Sequence, residues 1–213
     1  MNTLIGTKLG MTQILGENGV VIPITVIEAG PCTVTQVKSI ENDGYNAVQL
    51  GYGEGKNLSN AVKGHLKAAN VTPKTLKEVR LDDLSDIKVG DKFNTELFSV
   101  GDNVDVSGVS KGKGWAGTIK RHNFRRHRKT HGGKGNTRKV GSIGSMYPQR
   151  VFKGHPMAGQ MGGEKTTVKN LIVAYIDADK NLIGVKGAVP GPKKGTVLIS
   201  SAIRFNHLKK EAK

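Results

Sequence analysis

The chain has 213 residues, with 33 Lys and Arg against 17 Asp and Glu, so its formal net charge is +16. This length allows one large domain or two small ones, and this charge favours a polyanionic partner. A membrane is the poorer choice of polyanion, because no apolar run approaches the roughly 20 residues of a spanning helix and no basic amphipathic helix is visible.

The first part of the chain is typical of short β-strands joined by turns. Apolar runs flank two hairpin turn signals, at residues 17–19 (Glu-Asn-Gly) and 41–44 (Glu-Asn-Asp-Gly). This pattern predicts antiparallel hairpins. The predicted strands of this part are 11–15, 20–27, 33–40 and 45–52.

Cysteine usage indicates the compartment. Cys32 is the one cysteine of the chain, which excludes an internal disulfide and a multi-cysteine zinc site and suits a reducing cytosol. Strand-like sequence begins almost at the first residue, without a signal-peptide pattern. We therefore expect the protein to work in the cytoplasm, where it is made.

Residues 57–75 interrupt the β pattern. Ser59 or Asn60 is a candidate N-cap for a short helix, although Gly64 weakens that helix. Strand character returns at 76–81. We predict a small helical appendage at 57–75.

Strand signals continue on both sides of the middle of the chain. Several strands with regular turn signals favour a closed barrel over a helical fold, and strands from both sides must then share one sheet. We predict a mostly β fold, with a β-barrel formed by residues 1–105 and 166–213 and a long loop, 106–165, inserted into it. The remaining predicted strands are 93–98, 103–106, 167–176, 182–186 and 196–200.

The inserted segment is basic throughout, and residues 106–163 contain no Asp or Glu. These 58 residues hold 13 Lys and Arg and 13 Gly, so the rest of the chain has 20 basic and 17 acidic residues, a net +3. Lys and Arg neutralise phosphates, and glycine lets the backbone approach RNA closely. We favour an ordered RNA-binding insertion over a disordered basic tail, because both ends are tethered by strands. The predicted RNA-binding residues are Lys111, Lys113, Trp115, Lys120, Arg121, His122, Arg125, Arg126, His127, Arg128, Lys129, His131, Lys134, Arg138, Lys139, Arg150, Lys153 and His155.

Aromatic side chains are spaced through the same segment, at Trp115, Phe124, Tyr147 and Phe152. Bases or folded-back chain could pack on them. DNA is the main rival ligand, but no helix-turn-helix, zinc finger or basic zipper is visible. An irregular glycine-rich loop suits folded RNA better than a regular groove, so we expect no DNA partner.

Two patterns in the segment raise other functions. Residues 112–117 fit the GxGxxG dinucleotide pattern, which also needs a helix opening at its last glycine and an acid about 20 residues later. No acid occurs before Glu164. His127 and His131 have i, i+4 spacing, but the Arg and Lys around them repel a dication, which favours phosphate contact over metal. We therefore expect no catalytic residue, no metal and no cofactor.

From Phe98 through Arg121 the sequence reads FSVGDNVDVSGVSKGKGWAGTIKR. This segment resembles the signature of the L three family of large-subunit ribosomal proteins, in its short bacterial form. The resemblance covers essentially the full length, through IGTKLGMTQI, TVIEAGPCTVTQVKS, RHNFRRHRKTHG, GSIGSMYPQRVFKGHPMAGQMG and VKNLIVAYIDADKNLIGVKGAVPGPKKG. The matching signature positions are Phe98, Asp105, Gly108, Ser110, Gly112, Lys113, Gly114, Gly117 and Arg121.

The resemblance implies a barrel like those of other translation proteins, seated on large-subunit ribosomal RNA beside neighbouring subunit proteins. It implies an early part in subunit assembly and an extension that runs toward the peptidyl transferase centre. The implied role is structural, so we expect no enzymatic activity. The runner-up hypothesis is a non-ribosomal RNA chaperone that uses a floppy basic loop, and an enzyme is a distant third.

The far end of the extension is predicted from its length. If 135–165 folds as an extended excursion, its turn falls within 151–160, where glycine and proline supply the chain reversal. The resemblance implies that this tip approaches the peptidyl transferase centre. The predicted tip residues are Gly154, Met157, Gln160 and Met161.

The resemblance also bears on two single positions. Residues 154–156 read Gly-His-Pro, where many bacterial relatives have basic residues, so one RNA contact of His155 departs from the family pattern. In some family members the glutamine that matches Gln160 is methylated on its side-chain amide. A glutamine methyltransferase is therefore a further expected partner.

Overall fold

The computed structural model describes residues 2–16, 19–84 and 87–203. Most of its regular structure is β, which confirms the predicted fold class. The strands are β1 (Thr3–Leu15), β2 (Val21–Ala29), β3 (Cys32–Lys38), β4 (Ala47–Glu54), β5 (Pro73–Arg80), β6 (Lys92–Phe93), β7 (Asn103–Val109), β8 (Trp115–Ala116), β9 (Gly159–Gln160), β10 (Lys165–Asp177), β11 (Leu182–Lys186) and β12 (Thr196–Ser201). The helices are α1 (Ile40–Asp43), α2 (Asn60–His65) and α3 (Thr118–His122), with a 3₁₀ turn at Thr95–Leu97. No described helix has the length and apolarity needed to cross a membrane.

Six of the described strands pair in a closed ring. Their order is β1-β12-β7-β10-β11-β2, and every pair is antiparallel. Strands from before and after the basic segment therefore share one sheet. Because β7 leads into that segment and β10 follows it, both ends of the segment are anchored in neighbouring barrel strands.

The barrel interior is filled by β-branched and aliphatic side chains, which suit a pleated, closely packed surface. Val104 and Val106 alternate along β7 and are fully buried, as the period of two along a strand requires. Burying each such side chain stabilises the fold by about 1.5–3 kcal/mol. Other fully buried members of the core are Leu4, Ile5, Ile27, Val173, Ile183, Val185 and Ile199.

Asp105 lies between these two valines and has a different task. The pairing of β10 with β7 shifts register between Val168 and Leu171, where Asn170 adopts a left-handed φ of 57°. The Asp105 carboxylate, 6% exposed, accepts a hydrogen bond of 2.9 Å from the Asn170 amide. This bond satisfies an amide that the bulge removes from the ladder. The signature aspartate is thus a structural residue of the barrel.

A second sheet has the order β5-β4-β3-β6. Helix α2 connects β4 to β5, and Ser59 is its N-cap, with Oγ accepting from the Val62 amide at 3.5 Å. The helix ends at His65. The Cys32 thiol at the start of β3 is buried and accepts from the Ile5 amide at 3.3 Å, and burial raises its pKa to about 11. The thiol therefore stays protonated at neutral pH.

One predicted strand and one predicted turn differ from the structure, and part of another predicted turn lies outside the described residues. The predicted strand 93–98 is wrong beyond Phe93, because Phe98 donates its amide to the Thr95 carbonyl at 3.1 Å and closes a local turn instead of a ladder. The turn at 41–44 is the single-turn helix α1, ended by Gly44 at a φ of 78°. Glu17 and Asn18 of the first predicted turn lie outside the described residues.

Candidate nucleic-acid interface

The chain divides into two compact units, one of residues 1–109 with 165–213 and one of Ser110–Glu164. We call Ser110–Glu164 the extension. It contains 13 Lys and Arg and one acidic residue, Glu164, so it accounts for +12 of the net charge of +16. Positive charge concentrated in this way in one unit is typical of a surface that binds a polyanion.

The first and last segments of the extension pair with each other. Lys113 donates its amide to the Met161 carbonyl at 2.8 Å, and Met161 donates to the Gly114 carbonyl at 3.0 Å. Strand β8 pairs with β9, which places Trp115 opposite Gln160. The indole of Trp115 is 79% exposed. We call the paired segments, 110–117 and 159–164, the stem.

Two glycines let the stem close. Gly162 has a φ of +73°, and a Cβ there would collide with the Lys111 carbonyl oxygen. A Cβ at Gly159 would lie 2.7 Å from Arg121 Nη1. Gly162 therefore needs a residue without a side chain, both for its conformation and for space, whereas a side chain at Gly159 would require the Arg121 guanidinium to shift.

Arg121 holds the chain that enters β9. Its Nη1 donates to the Met157 carbonyl at 2.8 Å, and His122 Nε2 lies 3.1 Å from the same oxygen. Helix α3 presents both side chains and ends at Asn123, which adopts a left-handed φ of 58°. Arg121 is half-buried, whereas the other 12 Lys and Arg of the extension are exposed. It therefore works within the extension as well as adding to its charge.

The four predicted tip residues lie in different parts of the extension. Gln160 lies in β9, Met161 is bonded to the stem, and the Met157 carbonyl is held by Arg121. These three residues therefore lie beside α3 and β8, in the part of the extension that includes the stem. Gly154 alone of the four stays in the loop, exposed at a φ of +80° with open space around it.

Sixteen of the other predicted RNA-binding residues are exposed to solvent. Residues 125–129 line an open groove of about 790 Å³, with four cations and one imidazole around it. His155 is half-buried, and its Nε2 is buried without a hydrogen-bond partner among the described residues. The exposed predicted residues are Lys111, Lys113, Trp115, Lys120, His122, Arg125, Arg126, His127, Arg128, Lys129, His131, Lys134, Arg138, Lys139, Arg150 and Lys153.

The geometry adds little support to the dinucleotide and metal-site interpretations of the sequence. A helix does open after Gly117, but α3 has only five residues and no acid follows until Glu164. A dinucleotide site needs both a longer crossover helix and that acid. Within the described ranges, no group of three or more His, Cys, Asp or Glu is placed to hold a metal ion.

A pair of single substitutions separates the stem role from phosphate contact. Arg121→Ala and Arg126→Ala each remove one charge. We expect Arg126→Ala to reduce the salt dependence of RNA binding by about 0.7–0.9 in log–log slope, as loss of one phosphate contact does. Arg121→Ala should instead raise hydrogen exchange at 157–161 in the free protein, measured by mass spectrometry. Equal exchange in the two variants would contradict the stem role of Arg121.

Comparison with known proteins places these features in context. A family model for ribosomal protein L3 matches residues 78–181. A protein of Heliobacterium modesticaldum named large ribosomal subunit protein uL3 is 50% identical over 204 residues, covering 94% of this chain and 97% of its own. Proteins with the same name are similar in Corynebacterium efficiens, 48% identical over 94% of both chains, and in Herpetosiphon aurantiacus, 49% identical over 96% of this chain and 98% of that protein.

Proposed function

Because the chain belongs to the ribosomal protein L3 family and is thus a structural constituent of the large ribosomal subunit in the cytoplasm, we propose that its extension binds large-subunit ribosomal RNA. The proposal includes a part in early subunit assembly, contacts with neighbouring subunit proteins, and an extension directed toward the peptidyl transferase centre. Family membership confirms the resemblance seen in the sequence, and the proposed binding role needs no catalytic group.

The observation that carries the proposal is the segregation of charge. The extension holds +12 of the net charge, and 12 of its 13 basic side chains are exposed. Such side chains bind phosphates by releasing condensed counterions, and they require no particular base sequence. The groove at 125–129 offers several cations to one stretch of backbone. Closely packed RNA helices, where phosphates crowd, are the surfaces that gain most from such a segment.

We also propose that residues 123–156 form the part of the extension that faces the peptidyl transferase centre. Met157, Gln160 and Met161 are bonded to α3 or to the stem, which leaves 123–156 as the loop of the extension that is open to RNA. Methylation of Gln160, if this protein carries it, would then modify the stem beside Trp115.

Salt dependence and sedimentation test the function together. If about eight phosphates are neutralised, binding to large-subunit ribosomal RNA should have a log–log slope near −6, measured by filter binding over a salt series. The protein should also sediment with the large subunit after a high-salt wash. A slope shallower than about −2 would contradict phosphate binding by the extension. Release of the protein by the wash would favour the RNA chaperone.

A further inference from the structure

Large apolar side chains are exposed in one part of the extension. Met146 is 87% exposed, Tyr147 72% and Phe152 56%. Ile143 and Val151 are also exposed, and a groove of about 280 Å³ is lined by residues that include Ile143, Met146 and Val151. We call Ile143, Met146, Tyr147, Val151 and Phe152 the apolar patch. Large apolar side chains exposed within so short a stretch of the chain mark a surface that a partner covers.

The charge around the patch restricts the partner. In the sequence, Arg138 and Lys139 precede the patch, Arg150 lies within it and Lys153 follows it, and residues 106–163 contain no acidic residue. The Arg150 guanidinium carbon lies 5.5 Å from the centre of the Phe152 ring, so this cation is stacked on the patch itself. A partner must therefore offer negative charge and a flat apolar face within a few ångströms of each other.

Unpaired nucleotides have that combination. Each unpaired nucleotide has a base face that can stack and a phosphate on its sugar, whereas a duplex hides its base faces and offers phosphates alone. Resting on the proposed RNA-binding function, we infer that the apolar patch is a stacking surface for unpaired bases of RNA, with Tyr147 and Phe152 as the platforms. The exposed basic groove at 125–129 contacts the RNA backbone, and the patch adds a stacking contribution to the binding free energy that salt does not screen.

Two RNA probes test the inference on the full-length protein, an oligoadenylate of about 12 nucleotides and an RNA duplex of similar length. The double variant Tyr147→Ala/Phe152→Ala should bind the oligoadenylate at least about 10-fold more weakly, since stacking contributes about 1–3 kcal/mol per base. The salt slope should stay unchanged, and duplex binding should change by less than about twofold, because phosphate contacts remain.

Two matched variants complete the design. Tyr147→Phe/Phe152→Tyr keeps both rings and should keep the affinity for the oligoadenylate. Arg138→Ala/Lys139→Ala should weaken the binding of both probes and make the slope of log affinity against log salt shallower by about 1.4–1.8. Equal losses on both probes from the Tyr147→Ala/Phe152→Ala variant, or no loss on either, would overturn the inference. Failure of the unaltered protein to bind either probe would instead count against the proposed function.

The assembled particle gives an independent answer. A photocrosslinking benzoylphenylalanine at position 147 should crosslink to ribosomal RNA at unpaired nucleotides, read by reverse-transcription stops. Crosslinks to a neighbouring protein would mean that a protein surface covers the patch and would refute base stacking.

Discussion

Replacing residues 124–155 by a short Gly/Ser linker should leave a folded barrel that binds ribosomal RNA only weakly. The replaced segment carries nine of the 33 Lys and Arg, all of them exposed. Loss of that many phosphate contacts should lower RNA affinity on the order of 10³-fold at moderate salt. The barrel core lies in the other unit, and the linker variant keeps the stem. The free energy of unfolding should therefore change by only about 1 kcal/mol, through the change in loop length.

A full-length control variant separates the effect of losing the charges from the effect of losing the loop. Changing the same nine Lys and Arg to Gln keeps the loop and should weaken binding to a similar degree. Thermal unfolding followed by circular dichroism reports the barrel, and filter binding reports the RNA. A linker variant that unfolds would show that the barrel depends on the extension. One that retains full affinity would show that RNA binds elsewhere.

Much of the barrel could be predicted because its strands are long enough to show a pattern. Val104 and Val106 alternate on β7, and an apolar run with a turn on each side marks β11. Charge segregation is equally visible, since it depends on composition alone. These features need no knowledge of which residues meet in space.

The stem could not be predicted because its strands are too short. β8 and β9 have two residues each, and no period can be read from two residues. The length-based prediction therefore treats 135–165 as a symmetric excursion and puts Gln160 at its far end. In the structure Gln160 is paired with Trp115, 45 positions earlier in the chain. Gly159 and Gly162 are a signal of close approach in the sequence, but the sequence does not indicate which segment approaches them.

The roles of individual arginines are hidden for the same reason. Arg121 and Arg126 stand in one basic run and have the same chemistry in sequence. Only the fold shows that Arg121 donates to the Met157 carbonyl while Arg126 lines an open groove. The Asp105 signature position is similar, since its bond to the Asn170 amide depends on a bulge 65 residues away.

The second large effect is expected at a single glycine. Gly162 and Gly163 are adjacent and both have a φ of +73°, so alanine at either position pays the same left-handed strain of about 1–2 kcal/mol. They differ in their surroundings. A Cβ at Gly162 would collide with the Lys111 carbonyl, whereas a Cβ at Gly163 would have nothing within 4 Å. Because a carbonyl in the paired segment cannot rotate away as a flexible side chain can, Gly162→Ala should force the stem open.

The amides of Lys113 and Met161 report that opening directly, since both donate across the stem. Overpacking of this kind adds about 1–3 kcal/mol, so Gly162→Ala should speed hydrogen exchange at these two amides by about 5- to 150-fold relative to Gly163→Ala. The barrel amides of Val104 and Val106 should exchange alike in both variants. RNA affinity should fall further in Gly162→Ala, because RNA must then order the stem as it binds. Matching exchange rates at Lys113 and Met161 in the two variants would mean that the stem tolerates the side chain, and that contact with Lys111 does not require glycine.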